Sequence, residues 1–231
     1  SDQRARERAL QRKNERLEEL VSVISHDLRT PLSAARGAAD LAAETGDAEH
    51  FDALTRAHER LESMLDELLT LARTDERTTT TEAVTLPTAA QAAWETVNPD
   101  RATLVVDTDR TVMADPDRLQ RLFQNLFANA VAHGGSRATV TVGAAESDAH
   151  GFYVADDGPG IDPEHRDTVF EPGVSMSTDG TGFGLAIVDR IADAHGWDVA
   201  LTESADGGAR FEFVGTESVD ADRTTRSAAS D

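Results

Sequence analysis

The stretch DGTGFGLAIV (Asp179–Val188) runs from a glycine-rich loop into apolar residues at helical spacing, and a helix is expected over Gly182–Ala194. Gly180, Gly182 and Gly184 leave main-chain N–H groups free at the helix start. Such a terminus is an anion site suited to phosphates. The spacing is neither G-x-G-x-x-G nor a loop closed by Gly-Lys, which disfavours the Rossmann and P-loop folds.

Moving upstream, DDGPGI (Asp156–Ile161) follows an expected strand at Phe152–Ala155. Its glycines let backbone approach a flat ligand, while Asp156 can accept a hydrogen bond from an amino group. Further upstream, NLFANAVAH sets Asn125 and Asn129 one turn apart on a helix that opens at Pro116 and runs to His133. Amide oxygens there suit Mg²⁺, a hard ion that keeps several waters and bridges phosphate oxygens. Strands are expected at Leu104–Val106, Ala138–Val142, Trp197–Thr202 and Ala209–Val214. Antiparallel strand pairs with helices between them predict an α+β sandwich, a mixed sheet with helices on one face.

The first third of the chain keeps a different time. Leu10, Leu17 and Ile24 recur every seven residues with Val21 and Leu28 interleaved; after TGD at Thr45–Asp47 the pattern resumes with Leu54, Leu61, Leu68, Leu65 and Ala72. This predicts an α-helical hairpin. One hairpin cannot cover both of its apolar stripes, so two copies should pair into a dimeric four-helix bundle. Inside the first helix stands VISHDLRTPL (Val23–Leu32). With Ile24 and Leu28 on the seam, His26 faces water. Neutral imidazole is a nucleophile near pH 7, and Asp27 can hold its tautomer and take up its proton. Pro31 lacks the N–H that would pair with the carbonyl of Asp27, so a bend is expected there. His58 falls on the second helix's seam and reads as a half-buried packing residue, and structural or solvated roles are favoured for His50, His150, His165 and His195.

The expected organisation is therefore a helical hairpin over residues 1–74, a linker over 75–82, a nucleotide-binding domain over 83–215 and a disordered tail over 216–231. The chain of 231 residues carries 43 acidic against 22 basic residues, a formal net charge of −21, and Lys13 is its only lysine. That balance disfavours nucleic acid and anionic membrane surfaces as partners. It suits a chain that stays hydrated at high salt, and a halophilic, archaeal cytoplasm is the expected source. There is no cysteine, hence no disulfide framework. No apolar run is long enough to span a membrane, so this segment is expected to be cytoplasmic, with a membrane-attached parent compatible. No histidine spacing matches a zinc site, and no serine sits in a nucleophile elbow.

Taken in order, VISHDLRTPL, NLFANAVAH, DDGPGI, FEPGVS (Phe170–Ser175) and GTGFGL (Gly180–Leu185) resemble the H, N, first glycine, F and second glycine boxes of the sensor histidine kinase catalytic core. The resemblance covers nearly everything from Leu17 to Val214. It implies that His26 is phosphorylated by ATP with Asp27 as general base. Thr30 stands at the position associated with hydrolysis of the phosphorylated partner. It also implies that Asn129 and Asn125 surround Mg²⁺, that Asp156 reads the adenine amino group, and that Gly158 and Gly160 line the pocket. The loop from Asp162 to Thr181 would close over the nucleotide, with Gly180, Thr181, Gly182, Gly184 and Leu185 at the phosphates. Implied partners are a second copy, a response-regulator receiver domain and an upstream sensor absent from this chain.

Three departures stand out. Asp27 replaces the commoner glutamate, Ala132 replaces a phosphate-contacting lysine with His133 beside it to take over part of that job, and Asp179 replaces the first glycine of its box. A related gyrase, chaperone or mismatch-repair ATPase would lack the His-Asp-x-x-Thr-Pro hairpin. The remaining alternative is a nucleotide-binding dimeric scaffold with little or no transfer.

Overall fold

The computed structural model describes residues 28–73, 80–97, 101–134, 137–145, 151–175 and 180–216. The predicted His26, Asp27, Asp179 and the tail from residue 217 lie outside them. Two compact units emerge, Ser1–Thr70 with Glu171–Phe183, and Leu71–Phe170 with Gly184–Asp231.

The helical unit is a hairpin of α1 (residues 28–45) and α2 (Ala48–Arg73). Gly46 closes α1 at φ +72°, a conformation that costs glycine nothing, and its N–H reaches the carbonyl of Ala42 at 2.9 Å. The main-chain N–H of Asp47 bonds Thr45 Oγ1 at 3.2 Å, so TGD makes the predicted turn. Helical assignment continues through Pro31 without a break. The buried stripe on α1 is Pro31, Ala38 and Ala42, and on α2 it is Ala57, Met64 and Leu71. The expected seam residues Leu54, Leu61 and Leu68 are half-buried, while Leu65 and Leu69 are 51% and 52% exposed. His58 corrects the expectation of a packing residue: it is exposed and stands 3.3 Å from Glu62, one turn on. It follows Ala57 by one residue, about 100° around the helix from the buried stripe.

The second unit begins with β1 (Glu82–Thr85) and α3 (Leu86–Val97), continues with β2 (Thr103–Asp107), β3 (Thr111–Ala114) and α4 (Pro116–Gly134), and then forms the hairpin of β4 (Thr139–Ala144) and β5 (Phe152–Asp156). A 3₁₀ turn at Pro163–His165 precedes α5 (Gly184–His195), and β6 (Asp198–Glu203) and β7 (Ala209–Val214) close the unit. Five strands form one sheet in the order β2-β4-β5-β7-β6, with β2 parallel to β4 and the other pairs antiparallel. The mixed sheet is as predicted. The elements β1, α3 and β3 were not, and β1 pairs with β3 as a separate two-stranded antiparallel sheet.

Strand alternation shows which face is covered. Val140 and Val142, Phe152 and Val154, and Phe211 and Phe213 are buried, whereas Tyr153, Arg210 and Glu212 between them are half-exposed. On the covered side α4 contributes Leu119, Leu122, Phe123, Leu126 and Phe127. Phe152 is the centre of an aromatic cluster. Its ring lies 4.8 Å from Phe213, 5.7 Å from Trp197 and 5.9 Å from Phe123, which in turn stacks on Phe127 at 5.5 Å. Helix α4 starts where Asp115 Oδ1 accepts the N–H groups of Asp117 and Arg118, each at 3.1 Å, with Pro116 first in the helix.

Candidate functional site

The acidic pair after β5 divides its labour. Asp157 Oδ1 accepts the N–H of Thr139 at 2.7 Å and Asp157 N–H reaches back to the Thr139 carbonyl at 3.3 Å, extending the β4–β5 ladder. Asp156 instead turns inward. Its Oδ1 accepts from Gly158 N–H at 2.9 Å and from Ala209 N–H at 3.2 Å. The other oxygen, Oδ2, takes neither bond, which leaves it as the acceptor for a ligand donor.

Glycines frame this carboxylate. A Cβ on Gly158 would lie 2.9 Å from Asp156 Oδ1, and one on Gly208 would lie 2.1 Å from the Asp156 carbonyl oxygen. Gly160, at φ +72°, sits where a Cβ would meet the Gly207 carbonyl at 2.8 Å. Gly134, at the end of α4, comes within 3.7 Å of Gly158 Cα by the same measure. Gly134, Gly208 and Ser204 were not singled out from the sequence. The turn residues Asp-Gly-Gly at 206–208 marked a hairpin there, but not its neighbour fifty residues upstream.

On α4, Asn125 Nδ2 donates to the Arg121 carbonyl at 2.8 Å, which points Oδ1 away from the helix. A Cβ on Gly184 would lie 3.2 Å from that Oδ1 and 3.6 Å from Asn129 Oδ1. The first residue of α5 and the two predicted asparagines are therefore together, and any side chain at Gly184 would fill the space between them. The donor set fits Mg²⁺: two amide oxygens can hold a hard ion that keeps waters and takes the rest of its ligands from phosphate. No group of three or more His, Cys, Asp or Glu that could hold a metal ion occurs among the described residues. His133 is exposed in the last turn of α4, Ala132 beside it is exposed too, and Leu185 is half-buried.

The remaining predicted phosphate-loop residues, Gly180, Thr181 and Gly182, fall in the helical unit. There the N–H of Gly173 bonds the Gly182 carbonyl at 3.0 Å, and a Cβ on Gly182 would strike the Gly173 backbone at 2.7 Å. Arg60 Nη2 donates to the Gly180 carbonyl at 3.2 Å. Thr30 lies exposed on α1, four residues after His26 in the sequence.

Residues 114–216 match the family described as histidine kinase-, DNA gyrase B-, and HSP90-like ATPase, and residues 16–77 match the His Kinase A (phospho-acceptor) domain. This chain is a histidine kinase catalytic core. The kinase core is 33% identical over 206 residues to the sensor histidine kinase ZraS of Salmonella typhi, covering 83% of this chain and 44% of ZraS. It spans about half the length of the curated relatives it matches. Among solved structures, full-length ShkA in complex with AMPPNP aligns with a TM-score of 0.60 at 30% identity, over 88% of this chain and 47% of ShkA. The Acinetobacter baumannii histidine kinase AdeS aligns with a TM-score of 0.66 over 81% of this chain and 95% of its own, at 20% identity, and shares the fold. In the kinase core, no described helix is long and apolar enough to cross a membrane.

Proposed function

We propose that this kinase core transfers the γ-phosphoryl group of ATP to His26 and then to an aspartate of a response-regulator receiver domain. The observation that carries this reading is the presence in one chain of a phospho-acceptor match spanning His26 and an ATPase match spanning the Asp156 and Asn125–Asn129 sites. A ring nitrogen of His26 attacks the γ-phosphorus as the bond to the bridging oxygen breaks and ADP departs; Asp27 takes the ring proton. Transfer then rests on positioning and charge neutralisation.

The candidate site residues of both units each have a task in this scheme. Asp156 Oδ2 accepts the adenine amino group, Gly158 and Gly160 admit the purine, and Gly184 keeps open the space before Asn125 and Asn129. Those asparagines would hold Mg²⁺, which neutralises charge on the phosphates when bound. Gly180, Thr181, Gly182 and Leu185 serve the phosphates, with His133 nearby in place of a lysine. Thr30 supports dephosphorylation of the regulator as a second activity.

The exposed Leu65 and Leu69 support a homodimer through the hairpin. An upstream sensor supplies the input, and the working compartment is the cytoplasm. The net charge of −21 supports function at high salt, in a halophilic source, and disfavours nucleic acid as a partner.

Incubation with radiolabelled ATP and Mg²⁺ in high salt tests the proposal. Acid-labile, base-stable label on the wild type that disappears in His26→Ala is expected. An unlabelled wild type that still binds ATP would favour the scaffold reading, and label surviving His26→Ala would place the acceptor elsewhere.

A further inference from the structure

We propose that Ser204 is a positioning residue that makes Asp156 selective for a purine bearing a 6-amino group. The inference rests on the reading of Asp156 as the adenine acceptor.

Ser204, 9% exposed, directly follows β6 and begins the turn to β7. Its hydroxyl donates to the Asp156 carbonyl at 2.7 Å and accepts the N–H of Gly208 at 2.9 Å. The turn is closed on itself by Ser204 N–H to the Gly208 carbonyl at 2.8 Å and Gly207 N–H to the Ser204 carbonyl at 3.1 Å. Directly after Gly208 comes Ala209, whose N–H holds Asp156 Oδ1. One buried hydroxyl thus ties the β6–β7 turn to the end of β5, and that turn presents a donor that fixes the carboxylate.

The consequence is a division between the two oxygens. Oδ1 is occupied by the N–H groups of Gly158 and Ala209, so rotation about the carboxylate bond is arrested and Oδ2 is left for the ligand. Removing the Ser204 hydroxyl leaves the buried Gly208 N–H and the partly buried Asp156 carbonyl without this partner, and the turn relaxes to satisfy them. Ala209 N–H then withdraws from Oδ1. The freed carboxylate must be ordered again at each binding event, a cost borne only by a ligand that uses it.

The comparison that tests this is titration calorimetry of the full chain, with Mg²⁺, against ATP and against purine riboside triphosphate, which has hydrogen in place of the amino group. A hydrogen bond to a charged group predicts that the wild type prefers ATP by about tenfold or more. Ser204→Ala should cut that preference at least about threefold, through weaker ATP binding with the analogue unchanged, and Ser204→Thr should restore it. Should Ser204→Ala fold poorly, Ser204→Cys, similar in volume but a weak donor, carries the same comparison. An unchanged preference in the variant, or equal weakening of both ligands, overturns the positioning role. A wild type that binds both nucleotides equally overturns the adenine reading of Asp156 itself, and the inference with it.

Discussion

His195 Nε2 accepts the main-chain N–H of Asp115 at 3.0 Å, while Nδ1 lies 2.7 Å from the Ile191 carbonyl and donates to it. The ring thereby pins the end of α5 to the N-cap of α4, stacked on Trp197 at 4.3 Å. Burial lowers its pKa from the ordinary 6.5, outweighing the bond to Ile191 and the nearby Asp115 charge, which raise it; the Arg118 charge lowers it further. A proton on Nε2 would also abolish the acceptor. Because the unfolded chain takes that proton more readily, this contribution to stability is complete above the ordinary pKa and is lost as pH falls from there through the lowered folded-state value. Urea unfolding at pH about 7.5 and about 5.5 should show a smaller pH-dependent loss in His195→Gln than in the wild type. Identical losses would remove His195 as a source of the pH dependence.

Gly158→Ala puts a methyl 2.9 Å from Asp156 Oδ1 and 3.3 Å from Gly134 Cα. The carboxylate must swing away, and ATP affinity should fall about tenfold or more on the scale of one charged hydrogen bond. The nucleotide-free thermal midpoint should move by no more than about 4 °C, the equivalent of roughly 1 kcal/mol in a domain of this size. Unaltered affinity in calorimetry would show that Oδ1 need not stay where Gly158 permits it.

Phe152→Ala removes the ring that touches Phe213, Trp197 and Phe123, and should cost about 3–5 kcal/mol in urea unfolding. Phe170, half-buried with its ring 6.3 Å from Phe211, should cost less when truncated to alanine. Equal costs would contradict the centring of the core on Phe152.

Leu65→Glu combined with Leu69→Glu places charges at two exposed apolar positions of α2. Sedimentation at matched salt should show weakened self-association with helical circular dichroism retained. A variant as dimeric as the wild type would move the interface to another face.

The sequence was most legible where a signal is local. The Pro116 start of α4, the helix that follows the glycines of DGTGFGLAIV and the Thr45–Asp47 turn depend on immediate neighbours, and these elements are present. Elements whose reason is distant were missed. Strand β3 is only Thr111–Ala114 and exists because Val112 and Met113 meet Val84 and Ala83, nearly thirty residues earlier. Helix α3 is rich in alanine, and its buried face of Leu86, Ala89, Ala90 and Ala93 makes a weak periodic pattern. His58 was misplaced because the leucines of α2 do not mark its buried stripe: Ala57, Met64 and Leu71 are buried, while Leu65 and Leu69 are exposed. Ser204 was invisible for the same reason as β3, since its partner Asp156 is 48 residues away.

The parallel ladder between β2 and β4 has an outcome for exchange kinetics. Adjacent parallel strands need a crossover, and here α4, with β3 before it, is that crossover: Thr103 pairs with Thr139 and Val106 with Val142 only because α4 carries the chain back. The helix bearing Asn125 and Asn129 therefore cannot peel away without unzipping the β2–β4 rungs. Its amides should exchange with solvent only through the largest opening of the unit, and a nucleotide that grips α4 slows exchange along β2 as well, a strand that contributes no residue to the site.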